Sequence, residues 1–399
     1  MHLAGRSALD IAAQHGTPLF VYGRQAILEK YRLLEGAFAG RTSLQLRIGY
    51  ALKANPNHEI LKLLDKTRAW IDAVSPGEVE AALKAGFPAE RILFTGTSVT
   101  REDFRSLLRH VGLTINVDAL EEVDLLAEVQ RRYYPRRRVR LSIRWNPGLG
   151  RGFNPKVITA GRTTADGTPI KFGIEQGQVL AAFRKAASYG FQPVGLHQHL
   201  GSGWVKEDWE IVKAAVAKMA AKARQVEAAG FPLEFLNFGG GFGPKYVQSQ
   251  KLFPLQAYAA FISRTVARTG LSVRSLMVEP GKYLVGEAGV LLLRVEYVKR
   301  SYGHLFACVN GGTFNTVPRP AIYLQATHTI LNCNRLEARP KKRVTVAGNL
   351  CETGDVFGKN LLLPVPQAGD ILAVLGAGAY CRSMASNFNL RPIPEEILL

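Results

Sequence analysis

Short apolar segments alternate with amphipathic segments between residues 44 and 278. The apolar segments are rich in β-branched residues and therefore predict strands, which in chain order cover 44–52, 70–74, 92–95, 113–117, 139–145, 193–199, 234–238 and 275–278. The segments between them repeat their apolar positions with the period of a helix. Eight strands that alternate with helices predict a parallel (β/α)8 TIM-like barrel.

The pattern changes beyond Gly281, where glycine and proline are frequent and no long helical segment occurs. The strand-like segments in this part of the chain are 290–298, 305–309, 343–346 and 371–374. They predict a second, C-terminal all-β domain, onto which the strand-like segment 18–22 is expected to pack. We therefore predict a barrel domain over 25–280 and a β domain over 281–399 that also includes 1–24.

Composition narrows the class of protein. A chain of 399 residues, 47% of them hydrophobic, is long enough to bury a large core. It has no apolar stretch that would span a bilayer, and residues 1–6 lack the pattern of a signal peptide, so we expect no membrane association. The four cysteines have neither a disulfide nor a zinc-site spacing, so we expect no metal and a reducing, cytoplasmic location.

The formal net charge of +19 is densest in the run 131–140, where arginines flank two tyrosines. Such a run is compatible with phosphate contacts in a nucleic-acid-binding protein. It also joins a predicted helix to a predicted strand, and in a β/α barrel that connection lies on the face opposite the active site. We therefore favour a solvated basic turn and expect no nucleic-acid partner, while the positive charge suits an anionic substrate.

Lys53 stands at the end of the first predicted strand, directly before the break at Asn55-Pro56. A lysine between apolar neighbours can lose hydration and become an amine nucleophile, although taken alone it is more often simply exposed. Other strand ends also carry polar or glycine-rich residues. All of them converge on the rim where barrel enzymes have their active sites: Asp72, Gly96, Asp118, Arg144, 197–203, 237–243 and Glu279.

The glycine-rich segment 239–243 follows the seventh predicted strand. Bare backbone N–H groups can approach a phosphate there, and barrels often bind phosphate near strands seven and eight. Together with a lysine able to form an imine, this loop indicates a phosphorylated aldehyde, pyridoxal phosphate. Glu279 would then pair with the pyridinium nitrogen, His199 would stack on the ring and Ser202 would bond the phosphate. No Gly-x-Gly-x-x-Gly motif follows a first strand and opens a helix, which excludes a fold that binds NAD.

Six short motifs carry a resemblance to a known family: Tyr50-Ala51-Leu52-Lys53-Ala54-Asn55, His199-Leu200-Gly201-Ser202-Gly203, Gly239-Gly240-Gly241-Phe242-Gly243, Glu279-Pro280-Gly281-Lys282, Cys351-Glu352-Thr353-Gly354-Asp355 and Gly378-Ala379-Tyr380. On these motifs the chain resembles, over nearly its whole length, the fold-type III pyridoxal-phosphate decarboxylases. This group contains the ornithine, arginine and diaminopimelate decarboxylases and has an alanine racemase-like architecture. Segments 319–323, 351–352 and 383–392 resemble the diaminopimelate decarboxylases in particular.

The resemblance implies decarboxylation of meso-diaminopimelate to L-lysine and CO2, the last step of lysine biosynthesis. It implies that Lys53 binds the cofactor covalently and that Cys351 supplies a proton to the α-carbon. The implied cofactor contacts are Lys53, His199, Ser202, Gly240, Gly241, Glu279, Gly281 and Tyr380. The implied substrate contacts are Glu352 on the amine and, towards the carboxylate and beside the cofactor, Lys282, Arg319, Tyr323 and Tyr380.

The resemblance also implies a homodimer with shared active sites, because in the family the Cys351-Glu352 pair reaches into the partner's barrel. Three alternatives stay open: a related decarboxylase of another basic or carrier-bound amino acid, a racemase of the same fold type, and an inactive homologue that acts as a binding protein. Glu279 disfavours the racemase, and the retention of Lys53, Glu279 and Cys351 disfavours an inactive homologue. Only Glu352 and Arg319 separate the first alternative from the favoured function.

Three features depart from the family pattern. Lys282 stands where arginine is more usual, which removes a bidentate carboxylate contact. Asn310 stands where aspartate is more usual. The segment 151–172 is long and rich in glycine and threonine, and we predict that it forms a mobile lid.

Overall fold

The computed structural model describes residues 1–246, 250–323 and 326–399. The chain forms two compact units, each of which brings together separate parts of the sequence. We call them the barrel unit, made of Tyr31–Gly243 and Lys251–Gly281, and the β unit, made of Met1–Lys30, Pro244–Gln250 and Lys282–Leu399.

The barrel unit contains a closed barrel of eight parallel strands, which confirms the predicted fold class. In chain order the strands are Gln45–Ala51, Trp70–Ala73, Ile92–Phe94, Thr114–Val117, Arg140–Arg144, Gln192–His197, Phe235–Asn237 and Ser275–Val278. The barrel closes where the eighth strand pairs with the first, with Ser275 opposite Gln45. All eight carboxyl ends therefore lie on one rim, as a parallel barrel requires.

Helices follow the barrel strands, and several begin with a local capping signal in the sequence. The longer ones are His58–Asp65, Pro76–Lys84, Arg101–Leu107, Leu120–Tyr133, Val179–Ser188, Trp209–Ala228 and Leu255–Ala267, and Arg24–Phe38 precedes the first strand. Thr100 and Asp103 form a capping box at the start of one of them, and Ser75 caps another that has Pro76 at its first position. The basic run 131–140 leads into the fifth strand at its amino end.

The β unit is built around one long strand, Gly289–Ser301, which pairs with strands from both ends of the chain. The other strands of its main sheet are Leu19–Tyr22, His304–Val309, Ile330–Asn332, Lys341–Ala347, Val356–Pro364, Ile371–Leu375 and Glu395–Leu398. The predicted second β domain is thus confirmed as a mainly β unit, although it also contains short helices. The strand Leu19–Tyr22, within segment 18–22, pairs with Gly289–Ser301. Leu19, Val21, Leu292 and Ala373 contribute to its buried core.

Shorter elements complete the β unit. They are the helices Ala8–His15, Lys282–Val285 and Arg319–Ile322, the small strands His2–Leu3 and Arg6–Ser7, and the 3-10 turns Arg382–Met384 and Phe388–Leu390. In the barrel unit, 3-10 turns occupy Leu52–Ala54, Ala89–Arg91, Pro155–Val157 and Lys206–Asp208. Among the helices in the described ranges, none is long and apolar enough to cross a membrane.

Candidate active site

Lys53 lies just beyond the first barrel strand, in the 3-10 turn Leu52–Ala54. Its Nζ donates to the Oδ2 atom of Asp72 at a distance of 2.6 Å. The Asp72 side chain is 1% exposed, whereas that of Lys53 is 34% exposed. The amine therefore reaches solvent at the rim while a buried carboxylate on the second strand fixes its direction.

Asp72 affects the charge of this amine. Burial raises the pKa of Asp72, the negative charge of Glu279 raises it further, and Lys53 acts in the opposite direction. The carboxylate is thus most stable when Lys53 carries its proton. This pairing favours the charged amine over the neutral one for as long as the two groups stay in contact.

Glu279 follows the eighth strand and belongs to a buried polar cluster. Its Oε1 accepts a hydrogen bond from Asn237 Nδ2 at 2.6 Å, and its Oε2 lies 3.2 Å from His197 Nε2. Asn116 Nδ2 lies 3.1 Å from the other ring nitrogen of His197. Burial disfavours the charged carboxylate, but His197, which contacts it, is the largest cause that lowers the pKa of Glu279 to about 2, and the charge of Lys53 adds to it. The carboxylate is therefore ionised at neutral pH and suits a protonated ring nitrogen.

His199 follows the sixth strand and is neutral at physiological pH. Burial is the largest cause that lowers its pKa to about 3, and the charges of Arg144 and Lys53 add to it. Its Nδ1 accepts a hydrogen bond from the backbone N–H of Gly201 at 3.2 Å, and Thr159 Oγ1 lies 2.9 Å away. A neutral imidazole held at one edge presents a flat face for stacking on an aromatic ring.

The glycine-rich loop after the seventh strand packs directly against the segment that follows His199. The backbone N–H groups of Gly203 and Trp204 both donate to the carbonyl oxygen of Gly241, at 2.8 and 2.7 Å. A Cβ on Gly241, where φ is +120°, would collide with the Trp204 ring, and one on Gly240 would collide with the Glu279 carbonyl. Side chains are thus excluded at Gly240 and Gly241, because this loop packs closely against the segments that follow strands six and eight.

These residue types fit pyridoxal phosphate. The amine of Lys53 suits its aldehyde, the ionised Glu279 suits its ring nitrogen, and the neutral His199 suits the face of its ring. The glycine loop and Ser202 lie at the strand ends where barrels commonly bind a phosphate. Lys53, Glu279 and His199 all belong to the barrel unit, so the fit does not depend on the other unit.

Arg319 and Lys282 lie in the β unit, and both are buried. The guanidinium of Arg319 lies 4.4 Å from the centre of the Tyr246 ring, and its Nη1 is 3.3 Å from His328 Nε2. Lys282 Nζ lies 5.4 Å from the centre of the Tyr380 ring. Burial, assisted by the charge of Arg319, lowers the pKa of Lys282 well below that of an ordinary lysine.

Cys351 and Glu352 form part of an exposed turn that follows the strand Lys341–Ala347. Cys351 is exposed, whereas Cys308, Cys333 and Cys381 are buried. Burial raises the pKa of the Cys381 thiol to about 12, which keeps that thiol protonated. Cys351 is therefore the one cysteine of the four whose residue is exposed to solvent.

The predicted site residues are divided between the two units. The barrel unit holds Lys53, His199, Ser202, Gly240, Gly241, Glu279 and Gly281, and the β unit holds Lys282, Arg319, Tyr323, Cys351, Glu352 and Tyr380.

The structure also shows the contacts of two features that depart from the family pattern, Asn310 and segment 151–172. Asn310 donates to the carbonyl oxygen and hydroxyl of Thr17, at 2.8 and 2.9 Å, and so joins two segments of the β unit. Segment 151–172 is attached to the rim through the contact of Thr159 with His199.

Sequence reasoning gave no role to several residues that the structure brings into contact with predicted site residues. They are Asp72, His197 and Asn237 in the barrel unit and Tyr246 and His328 in the β unit. The first three stand at the carboxyl ends of strands two, six and seven, so their position on the rim was a usable signal. Nothing in the local pattern around His328 or Tyr246 indicates a contact with Arg319.

Comparison with known proteins agrees with this geometry. The family model described as "Pyridoxal-dependent decarboxylase, pyridoxal binding domain" matches residues 24–286. A diaminopimelate decarboxylase from Methanothermobacter thermautotrophicus is 38% identical, and the alignment covers 100% of this chain and 90% of that protein. One from Campylobacter jejuni is 34% identical, with 96% of this chain and 90% of that protein covered.

Solved structures extend the likeness to three dimensions. Diaminopimelate decarboxylase from Helicobacter pylori, complexed with L-lysine, has a TM-score of 0.88 and 32% identity, with 98% of this chain and 93% of that chain covered. A lysine/ornithine decarboxylase from Vibrio vulnificus, at 23% identity and a TM-score of 0.80, covers 98% of this chain and 96% of its own and shares the fold. The chain therefore belongs to the pyridoxal-dependent decarboxylases, as an amino-acid carboxy-lyase of the diaminopimelate decarboxylase group whose cofactor is pyridoxal 5'-phosphate.

Proposed function

We propose that this chain converts meso-diaminopimelate to L-lysine and CO2, with pyridoxal phosphate bound to Lys53. The observation that carries the proposal is the rim of the barrel, where the Lys53–Asp72 pair would offer an amine to the aldehyde of the cofactor and the buried Glu279 would offer a carboxylate to its ring nitrogen. Full-length similarity to diaminopimelate decarboxylases supports the choice of substrate.

When bound, pyridoxal phosphate supplies an electron sink for the pair left on the α-carbon as CO2 departs. Glu279 would serve that sink by keeping the ring nitrogen protonated, and Asn237 and His197 hold its two oxygens in place. His199 would stack on the ring as a neutral group and add no competing charge. Asp72 stabilises the protonated amine of Lys53 whenever the substrate amine has displaced it.

Arg319 and Lys282 would bind the carboxylate that the substrate retains, with Tyr323 beside them and Tyr380 near the cofactor. The buried charge of Arg319 disfavours a neutral ligand group, because a desolvated charge gains most from an opposite charge. A bound carboxylate would also favour the charged form of the neighbouring Lys282. Glu352 would bind the amine at the same end of the substrate. A site of this kind rejects analogues that lack the carboxylate, since its own charged groups would lose their partner.

Cys351 would supply the proton that replaces CO2 on the α-carbon. Because Cys351 and Glu352 are exposed on the chain itself, we propose that the enzyme is a homodimer in which this pair completes the site of the second copy. Two such sites would form around the two-fold axis. The four cysteines are free and form no disulfide, which supports a cytoplasmic location.

The test is CO2 release from meso-diaminopimelate, measured beside lysine, ornithine and arginine. We expect diaminopimelate to be strongly preferred, and Arg319→Ala and Glu352→Ala to lower kcat/KM roughly a hundredfold or more while the cofactor stays bound. Arg300→Ala, which removes an exposed arginine from the long β-unit strand, serves as the control and should change little. Equal activity on ornithine and diaminopimelate would contradict the proposal.

A further inference from the structure

The backbone of the turn at 350–352 is held by a series of hydrogen bonds within the β unit. The N–H of Leu350 donates to Asp355 Oδ2 at 2.8 Å, and the N–H of Cys351 donates to Asn389 Oδ1 at 2.8 Å. The N–H of Glu352 donates to the carbonyl oxygen of Leu350 at 2.9 Å. Three consecutive amides therefore have partners, and two of these partners are side chains.

Asp355 joins this turn to a second segment of the β unit. It is 3% exposed, and its Oδ1 accepts hydrogen bonds from the N–H and the hydroxyl of Thr313, at 2.6 and 2.8 Å. Its own N–H donates to the carbonyl oxygen of Glu352 at 3.0 Å. Hydrogen bonds to a buried carboxylate are stronger than those between neutral groups, so Asp355 fixes both ends of the turn against Thr313.

Asn389 adds a third segment. Its backbone is left-handed, with φ 56° and ψ 23°, a conformation that asparagine adopts more readily than most residues. The neighbouring Phe388 ring contacts the Phe314 ring edge-on, with the centroids 5.7 Å apart. Asn389 is itself exposed, and its side-chain oxygen is the acceptor for the Cys351 N–H.

We infer that Asp355 and Asn389 are positioning residues, which fix the backbone from which the side chains of Cys351 and Glu352 project. The inference rests on the proposed function, in which Cys351 supplies a proton and Glu352 binds the substrate amine. A cysteine thiol is one bond from Cβ, so its position is set almost entirely by the backbone and one rotatable bond. A proton donor must lie within hydrogen-bond reach, and a shift of 1 Å can cost about a hundredfold in rate.

The test compares two substitutions at Asn389 in the holoenzyme. Asn389→Gly keeps the left-handed backbone but removes the acceptor for the Cys351 N–H, and we expect kcat to fall about 10- to 100-fold with the cofactor content unchanged. Asn389→Asp keeps an acceptor oxygen and should stay within about threefold of wild type. Asn360→Gly is the matched control, because Asn360 is an exposed asparagine with φ 50° elsewhere in the β unit.

A second measurement does not depend on activity. The rate at which iodoacetamide labels Cys351, followed by mass spectrometry, should rise several-fold in Asn389→Gly and should not rise in Asn389→Asp or Asn360→Gly. The buried Cys308, Cys333 and Cys381 provide internal references. Asp355→Asn should act in the same direction, because one of its acceptor oxygens becomes a donor that faces an N–H or O–H.

Wild-type kcat and labelling rate in Asn389→Gly would overturn the inference, and so would equal impairment of Asn389→Asp or of the Asn360→Gly control. Should Asp355→Asn not fold, the Asn389 variants decide the question. Should the wild-type enzyme release no CO2 from diaminopimelate, the proposed function fails. The labelling rates would then still show whether Asn389 restrains the turn.

Discussion

The barrel unit and the β unit hold their candidate site residues in opposite ways. In the barrel unit, Glu279 is buried and bonded through its own side chain to Asn237 and His197. In the β unit, Cys351 and Glu352 are exposed, and it is the backbone of their turn that is held in place. In the proposed function, the first arrangement would fix charged atoms for the cofactor, and the second would leave the side chains able to meet a substrate or a second copy.

This difference predicts where substitutions act. A change in the buried cluster disturbs neighbours that have no access to water, so it affects folding and cofactor binding as well as rate. A change at the exposed turn affects the rate alone, because water replaces what is removed.

Lys53→Ala should lower kcat by a thousandfold or more, about the loss seen when a covalent catalyst is removed. The wild-type protein should be yellow, and borohydride should fix the cofactor to Lys53 in a peptide map. Lys62→Ala is the matched control, since Lys62 is 51% exposed on a helix. An adduct on any other lysine would contradict the assignment.

Glu279→Gln should lower kcat about a hundredfold, because a neutral amide no longer stabilises a protonated ring nitrogen. The substitution also tests the pH dependence of folding. The pKa of Glu279 is lowered from 4.5 to about 2, so its ionised form stabilises the protein above pH 4.5, and this contribution is lost as pH falls through about 2. Denaturant unfolding between those values should show a steeper loss in wild type than in the variant.

A mixture of Lys53→Ala and Cys351→Ala subunits tests whether the Lys53 and Cys351 of one active site belong to the same subunit or to two different subunits. If Cys351 acts in the second copy, activity should recover to about a quarter of wild type, because roughly half the dimers are mixed and each has one intact site. Each variant incubated alone under the same exchange conditions is the control. No recovery after proven exchange would place both residues on one chain.

Lys282→Arg should have the smallest effect. The lowered pKa of Lys282 means that its charge is lost at a lower pH than in an ordinary lysine, so KM for the substrate should rise with pH in wild type. Arginine stays charged, so KM of the variant should depend less on pH than KM of the wild type over the same range. The expected change at neutral pH is within roughly fivefold. A KM that rises equally in both proteins would show that another group is responsible.

The sequence indicated the barrel and Lys53 because both depend on local signals. Each barrel strand is a short apolar run, and the polar residue at its end belongs to the rim whatever the details of packing. The contacts of Glu279 with His197 and Asn237 depend on which side chains point inward in neighbouring strands, and no local pattern gives that register. The hydrogen bond from the Cys351 N–H to Asn389 joins two irregular segments, so it also could not be predicted from the sequence.

The strands of the β unit also show which elements a local sequence pattern can and cannot predict. Strands such as Gly289–Ser301 were found from their apolar runs, but Val356–Pro364 was missed because its Gly358-Lys359-Asn360 sequence is typical of a turn. Glu395–Leu398 was missed because it is short and follows a proline-containing segment. It forms by pairing with Leu19–Tyr22, a partner from the other end of the chain.

That pairing has a consequence for synthesis on the ribosome. The hydroxyl of Tyr22 donates to Glu396, which lies 374 positions later in the chain. The strand Leu19–Tyr22 is thus among the first segments to emerge, yet its two sheet neighbours, Gly289–Ser301 and Glu395–Leu398, emerge much later. Contacts of such long sequence separation form slowly. All eight barrel strands are therefore synthesised before Leu19–Tyr22 has either of these sheet neighbours, and until then its apolar edges are open to aggregation.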